Sequence, residues 1–247
     1  MNTGIIFIKK LLSEMNSRLK IGAIVLARCD STRLPGKVLR KLNGKPLIWY
    51  CLERIKKVKE IDSIIIATSD RKNDDRLAKY AHQEGICIFR GSKENVSERF
   101  LECAKHFMLD YAIRVNVDCP LIDIKLLNTG ISLIKKNYDL ITNVYPRTFP
   151  FGIILEIVKV KKYQEIFQNF LSADHFEHVT KYMYENIKEF NFYNLINSDK
   201  SKNFLKYRLT IDNIKHLKNF RKFLKNYPKQ WTKNDFYDAI RFGGFEI

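Results

Sequence analysis

Four short apolar runs, at residues 21–26, 61–68, 86–89 and 111–117, alternate with stretches whose apolar residues recur at helical spacing. The first run, Ile-Gly-Ala-Ile-Val-Leu, is apolar on both faces, as a strand buried inside a parallel sheet must be. Between the runs, residues 46–58 put Leu47, Ile48, Cys51, Leu52 and Ile55 on one helical stripe. Residues 70–85 do the same with Leu77, Ala78 and Ala81 before Gly85, and residues 95–108 read as a third helix. Strand and helix alternating at this spacing predict an α/β fold: a Rossmann-like, mostly parallel sheet with helices on both faces.

The alternation loosens after Asp118. A helix over 124–135 leads to a strand at 139–142, an aromatic, Pro-rich loop at 145–152 and a strand at 153–160. A helix at 172–186, strands at 190–195 and 207–211, and helices at 214–224 and 232–241 complete the expectation. No internal repeat or low-complexity linker divides the chain, so residues 21–247 are expected to form one domain whose second half, 123–247, includes a flap. Residues 1–20 read as an N-terminal extension or as a start codon placed too early, with Met15 as an alternative start.

The segment after the first run concentrates charge. Ala27-Arg-Cys-Asp-Ser-Thr-Arg-Leu-Pro-Gly-Lys37 drops three cations, Arg28, Arg33 and Lys37, into one loop with Ser31, Thr32 and Gly36 between them. Open α/β sheets bind ligands outside the carboxyl ends of their strands. Small residues let backbone N–H groups approach anionic oxygens, while guanidinium forks and a lysine point charge neutralise them. The loop suits a polyphosphate. A solvated basic turn has the same composition, and the spacing is neither that of a P-loop nor that of a dinucleotide fold. Asp118 ends the fourth run on the same rim, where Pro120 stops the ladder; it is a candidate Mg2+ ligand or a turn-former. Asp212 ends a later run, where a helix N-cap is the competing role.

Arg-x-x-Ser-Thr-Arg-Leu-Pro-Gly-Lys over residues 28–37, followed by Leu-Asn-Gly-Lys-Pro-Leu over 42–47, resembles the nucleotide-binding signature of the sugar cytidylyltransferases. That family includes the acylneuraminate and keto-deoxy-octulosonate enzymes, and the SpsF-like spore-coat polysaccharide branch is the nearest likeness. The resemblance, spanning residues 21 to about 217, implies a nucleotide-diphospho-sugar transferase sheet, with a nucleotide half at 21–122 and a sugar half at 123–247. It implies transfer from CTP to an acidic sugar, giving a CMP-sugar and pyrophosphate for surface polysaccharide. By the same resemblance Arg28, Lys37, Asp118 and Asp212 are catalytic. Ala27, Arg28, Ser31, Arg33, Lys37, Arg90, Ser92 and Arg99 bind the nucleotide, and Asp118 with Asp212 binds Mg2+. Without the cation two such carboxylates should repel, loosening the site or raising one pKa. Glu177-His178-Val179-Thr180 matches a motif of the branch and is expected on a helix, as a substrate contact or a structural hydrogen bond. Phe151 and Ile154 stand where the branch carries aspartates, which implies a more apolar acceptor pocket.

A net charge of +17 raises nucleic acid as a partner. The lysines are spread over helix faces and turns, with no RNA-binding signature, so no specific nucleic acid is expected. Five dispersed cysteines without a C-x-x-C pair argue against a disulfide framework or zinc site and fit a reducing cytoplasm. No run reaches membrane-spanning length. A homodimer stays open. Two rival functions remain: a glycosyltransferase on the related fold, which would want an Asp-x-Asp pair that Asp118-Cys-Pro does not supply, and a non-enzymatic RNA-binding protein. They separate on salt. An RNA binder would hold an unstructured oligonucleotide tightly, with affinity falling steeply as salt rises. Weak, CTP-displaceable binding in a filter assay is expected, and tight binding at physiological salt that CTP leaves untouched would favour the RNA reading.

Overall fold

The computed structural model describes residues 18–199, 201, 203–226, 236–243 and 245. The expected extension at 1–20 therefore lies outside the described residues up to residue 17, as does the start of the helix expected at 232–241. The chain opens with β1 (Ile21–Leu26), a hairpin of β2 (Lys41–Leu42) and β3 (Lys45–Pro46), and α1 (Leu47–Ile55). Next come β4 (Ser63–Ser69), α2 (Asp75–Gln83), β5 (Cys87–Gly91), α3 (Val96–His106), β6 (Tyr111–Asn116) and α4 (Ile124–Leu133). The second half supplies β7 (Leu140–Thr142), β8 (Glu156–Lys159), α5 (Val160–Phe167), α6 (Ala173–Glu177), α7 (Lys181–Glu185) and β9 (Phe192–Asn194). Two helices, α8 (Ile214–Asn226) and α9 (Tyr237–Gly243), end it.

Local chemistry explains the boundaries. Asn43 and Gly44 both adopt positive φ, which matches the twist of a two-residue hairpin. The Asn95 side chain accepts the Glu98 N–H at 2.8 Å and caps α3, and Asp123 accepts the Leu126 N–H at 2.7 Å to cap α4. The stripe Leu47, Ile48, Cys51, Leu52 and Ile55 is buried against one face of the sheet. The other face is covered by Phe100, Tyr163, Met183 and Phe190.

The sheet order is β5-β4-β1-β6-β8-β7-β9. β1 pairs in parallel with both β4 and β6, and β8 alone runs antiparallel to its two neighbours. The mostly parallel sheet is thus the one the alternation predicts. From β1 the chain winds outward through β4 to β5, then returns to place β6 on the opposite side. The loops leaving β1 and β6 therefore diverge and open a crevice at the topological switch point.

The second half departs from expectation in three places. The strand expected at 153–160 is confined to Glu156–Lys159 and gives way at once to α5, whose stripe Val160, Tyr163 and Ile166 is buried. The helix expected at 172–186 breaks at His178, whose backbone is extended (φ −114, ψ 96), so Glu177 and His178 sit in a corner between α6 and α7. Residues 207–211 form no ladder strand. They pair with the aromatic loop through Phe151 N to Tyr207 O (3.0 Å) and Leu209 N to Phe151 O (2.6 Å), then with β6's rim through Ile211 N to Asp118 O (2.8 Å). Pro150 offers no N–H for a longer ladder, and the next turn bends away at Gly152.

Gly152 has φ +97, and a Cβ there would stand 2.7 Å from the Leu209 carbonyl carbon and 2.8 Å from the Thr210 nitrogen. Among the described residues no helix is long and apolar enough to cross a membrane. The close approach at Gly152 yields a stability test. Gly152→Ala should cost about 1–3 kcal/mol, the order expected for a residue forced into a disfavoured backbone region, read as a lower urea midpoint. An unchanged midpoint would show that the loop relaxes freely.

Candidate active site

The loop after β1 is held from below by a buried carboxylate. Asp74, fully buried, accepts the Cys29 N–H at 2.7 Å and the Ser69 hydroxyl, tying the loop to the end of β4. Gly36 N–H closes back on Cys29 O at 3.0 Å, and Gly36 itself turns left-handed (φ 66) to start a single 3-10 turn at Lys37–Leu39. Fixed this way, the loop presents its cations to the crevice. Lys37, with only 11% of its side chain exposed, sends Nζ to Asp118 Oδ2 at 3.1 Å and to Ile211 O at 3.3 Å. Arg33, 68% exposed, reaches Asp212 Oδ1 at 3.2 Å. Arg28 donates to Lys93 O at 2.9 Å and meets Glu177 Oε1 at 3.3 Å.

Asp118 and Asp212 come to the same end of the sheet because Ile211 N–H binds Asp118 O directly. The expected mutual repulsion does not dominate. Burial would raise the Asp212 pKa, but the Thr210 hydroxyl at 2.7 Å, Lys37, Arg33 and His216 together hold it below the ordinary aspartate value. Cations from the loop after β1 lie beside this carboxylate, so Asp212 is not the group whose pKa is raised. Among the described residues no three or more His, Cys, Asp or Glu side chains converge as a metal cluster. Two carboxylates at one rim instead suit a hard divalent ion that brings phosphate and water oxygens as its other ligands.

The crevice has a volume of about 440 Å³ and is lined by Ala27, Arg28, Ser31, Arg33, Lys37, Arg99 and Asp118 among others. That is within the usual range of a small-molecule site. Asp212 borders it through its contact with Arg33. Arg90 and Ser92 do not line it. Arg90 bonds Ser69 O (3.1 Å) and Arg71 O (2.8 Å) and pairs with Asp75 (2.7 Å), while Ser92 Oγ accepts the Asn95 N–H (3.0 Å). Both brace the rim of β4 and β5. Arg99 is nearly fully buried; burial, reinforced by the charge of Arg28, pushes its guanidinium pKa down to about 10.

A smaller cleft of about 290 Å³ adjoins the first, and Arg114 and His178 line both. Its floor is Glu156, buried and fully bonded: Arg114 Nε at 2.6 Å, Thr180 Oγ1 at 2.6 Å and Tyr184 OH at 2.7 Å. Of the two residues expected to make the acceptor pocket more apolar, the structure brings one to this cleft. Ile154 lines this cleft, but Phe151 does not; its ring instead lies under the guanidinium groups of Arg147 (5.1 Å) and Arg208 (4.8 Å). Sequence reasoning assigned no role to Asp74, Glu156, Arg114 or Arg147. Arg114 and Glu156 carried a signal: each is a charge inside an apolar strand, and two such charges in neighbouring strands satisfy each other.

The protein-family model "Cytidylyltransferase" matches residues 22–242. The spore coat polysaccharide biosynthesis protein SpsF of Bacillus subtilis is 34% identical over 166 residues, 65% of this chain and 68% of that protein. The 3-deoxy-manno-octulosonate cytidylyltransferase of Pelobacter propionicus is 32% identical over 114 residues, 46% of this chain and 44% of that protein. Among solved structures, a cytidylyltransferase from Leptospira borgpetersenii superposes with a TM-score of 0.83 at 30% identity, covering 91% of this chain and 93% of that one.

The lowered Asp212 pKa fixes the sign of a pH effect. A carboxylate depressed in the folded state stabilises it above the unfolded-state value of about 3.8, and the contribution is lost as pH falls through the folded-state value. Asp212→Asn should therefore lower the urea midpoint relative to the parent chain at neutral pH, with the gap closing in acid. A gap that stayed constant down to acid unfolding would contradict the pairing with Arg33 and the influence of the Lys37 charge.

Proposed function

The chain belongs to the cytidylyltransferase family, and from that premise we propose that it transfers CMP from CTP to the hydroxyl of an acidic sugar, releasing pyrophosphate, as a step in surface polysaccharide assembly. The observation that carries this is the pairing of Lys37 with Asp118 and of Arg33 with Asp212 across the switch point. The cations that would bind phosphate and the carboxylates that would hold a metal ion are there paired side by side.

Attack by a sugar hydroxyl on the α-phosphorus forms one P–O bond and breaks another as pyrophosphate leaves. Such transfer asks the protein for alignment and charge neutralisation, with no covalent intermediate. Arg28, Arg33 and Lys37 bind the triphosphate, and its oxygens take over the ammonium and guanidinium groups that Asp118 and Asp212 hold in the free protein. Asp118 and Asp212, so released, are the residues that would hold Mg2+. When bound, that ion neutralises charge on the phosphate oxygens and on the leaving pyrophosphate. Arg99 and the Ala27 and Ser31 stretch form the wall against which the nucleotide rests. Arg114 and His178 line both clefts, and of the two only a neutral imidazole has a lone pair that can accept a proton. His178, whose ring has no hydrogen-bond partner among the described residues, is thus placed to take the proton of the acceptor hydroxyl. The smaller cleft receives the sugar.

Pyrophosphate release measured with each of the four nucleoside triphosphates, Mg2+ and a panel of acidic sugars tests the proposal. CTP alone should support turnover; release with another triphosphate in preference to CTP, or no thermal shift with CTP, would overturn it. Lys37→Ala should lower turnover about a hundredfold, comparable to losing one charge-stabilising donor. Asp118→Asn and Asp212→Asn should each lower it at least as much, with a double variant less than additive because both serve one site. His178→Gln should lower turnover while leaving the CTP thermal shift in place.

A further inference from the structure

We propose that Arg147 is the residue that holds the anionic group of the acceptor, in the smaller cleft, an assignment that rests on the nucleotidyl-transfer reading for the identity of that cleft. The cleft lining carries three fixed cations, Arg114, Arg147 and Lys181, against one carboxylate, Glu156. Two of those cations are already paired. Arg114 is bound to Glu156 through Nε and Nη2, and Lys181 Nζ meets Glu185 at 3.1 Å. Glu156 has no oxygen to spare, since the Thr180 and Tyr184 hydroxyls both bond its other oxygen.

Arg147 is left over. Its Nη1 is shielded from solvent and has no hydrogen-bond partner, and its side chain forms no ion pair among the described residues. The contact that positions it is the ring of Phe151, a cation–π platform that orients a guanidinium without satisfying its N–H groups. A buried donor left unpaired is costly, and burial pushes this guanidinium's pKa down. An anion entering the cleft removes that cost. Nη1 and its neighbouring nitrogens form a planar fork, which matches a carboxylate through two parallel hydrogen bonds. The group recognised is a sugar carboxylate, and Arg147 decides between an acid and its neutral counterpart.

The test compares binding of 3-deoxy-manno-octulosonate and its methyl ester by calorimetry, with and without CTP. The two probes share ring and hydroxyls and differ in the charge. The parent protein should bind the acid about 10- to 100-fold more tightly than the ester, the span expected of a charge-assisted hydrogen-bonded pair. Arg147→Gln should abolish the preference, and Arg147→Lys should keep part of it, because an ammonium retains charge and loses the fork. The CTP-induced thermal shift of each variant should match the parent's, which also reports that the variant is folded. A parent protein that binds both probes equally, or neither, overturns the assignment, as does Arg147→Gln or Arg147→Lys with the full preference intact. Loss of the CTP shift in the parent alongside an intact acid preference would instead refute the nucleotidyl-transfer reading and leave Arg147 as an anion site.

Discussion

A single backbone hydrogen bond, from Ile211 N–H to the carbonyl of Asp118 at 2.8 Å, joins the two halves of this chain at the place where chemistry is proposed. One side of it is the carboxyl end of β6, at the centre of the parallel sheet. The other is an extended strip that belongs to no regular strand. Because the strip is pinned there, Ile211 O lies within reach of Lys37, and the next residue, Asp212, meets Arg33. Gly152 serves the same geometry one step away. Its positive φ and missing side chain let the aromatic loop lie directly on the backbone of Leu209 and Thr210.

Charge compensation follows from that arrangement. An isolated pair of carboxylates at one rim would destabilise the protein, whereas carboxylates interleaved with the cations of the loop after β1 stabilise it. The cost of gathering these charges at one rim is thereby small. Each of these cations has a partner, and so does each carboxylate. Exposure separates the members: Arg33 is mostly in solvent, where an ion pair contributes little, while Lys37 is enclosed and loses less to screening.

Buried acids do the positioning throughout. Asp74 fixes the loop after β1 from beneath, and Glu156 gathers Arg114, Thr180 and Tyr184 into one network between the two clefts. A fully satisfied network in a low-dielectric interior is rigid, because releasing any one member strands a charge. Arg114 and His178 can therefore face both clefts while the wall they share stays in place.

The first half of this protein was legible because its signals are local. Alternating apolar runs and helical stripes dictate a parallel sheet, β1 is apolar on both faces, and Asn43-Gly44 encodes its own turn. The loop at 28–37 could be placed at a ligand rim because a strand end precedes it. The likeness that named the nucleotide and metal residues rests on that contiguous stretch and two short aspartate motifs. The second half resisted for a physical reason. The corner at His178, the irregular strip at 207–211 and the start of α5 at Val160 depend on which distant backbone each segment meets, and no periodicity records that. The same holds for side chains. Phe151 suggested an apolar pocket, yet its neighbours in space are Arg147 and Arg208, 4 residues and 57 residues away in sequence. Sequence alone determined the sheet and the cation-rich loop, since both are written in consecutive residues. Tertiary structure alone decided which carboxylate each of the loop's cations meets and that Arg147 lines the smaller cleft without an ion pair among the described residues, since those are properties of groups brought together across the chain.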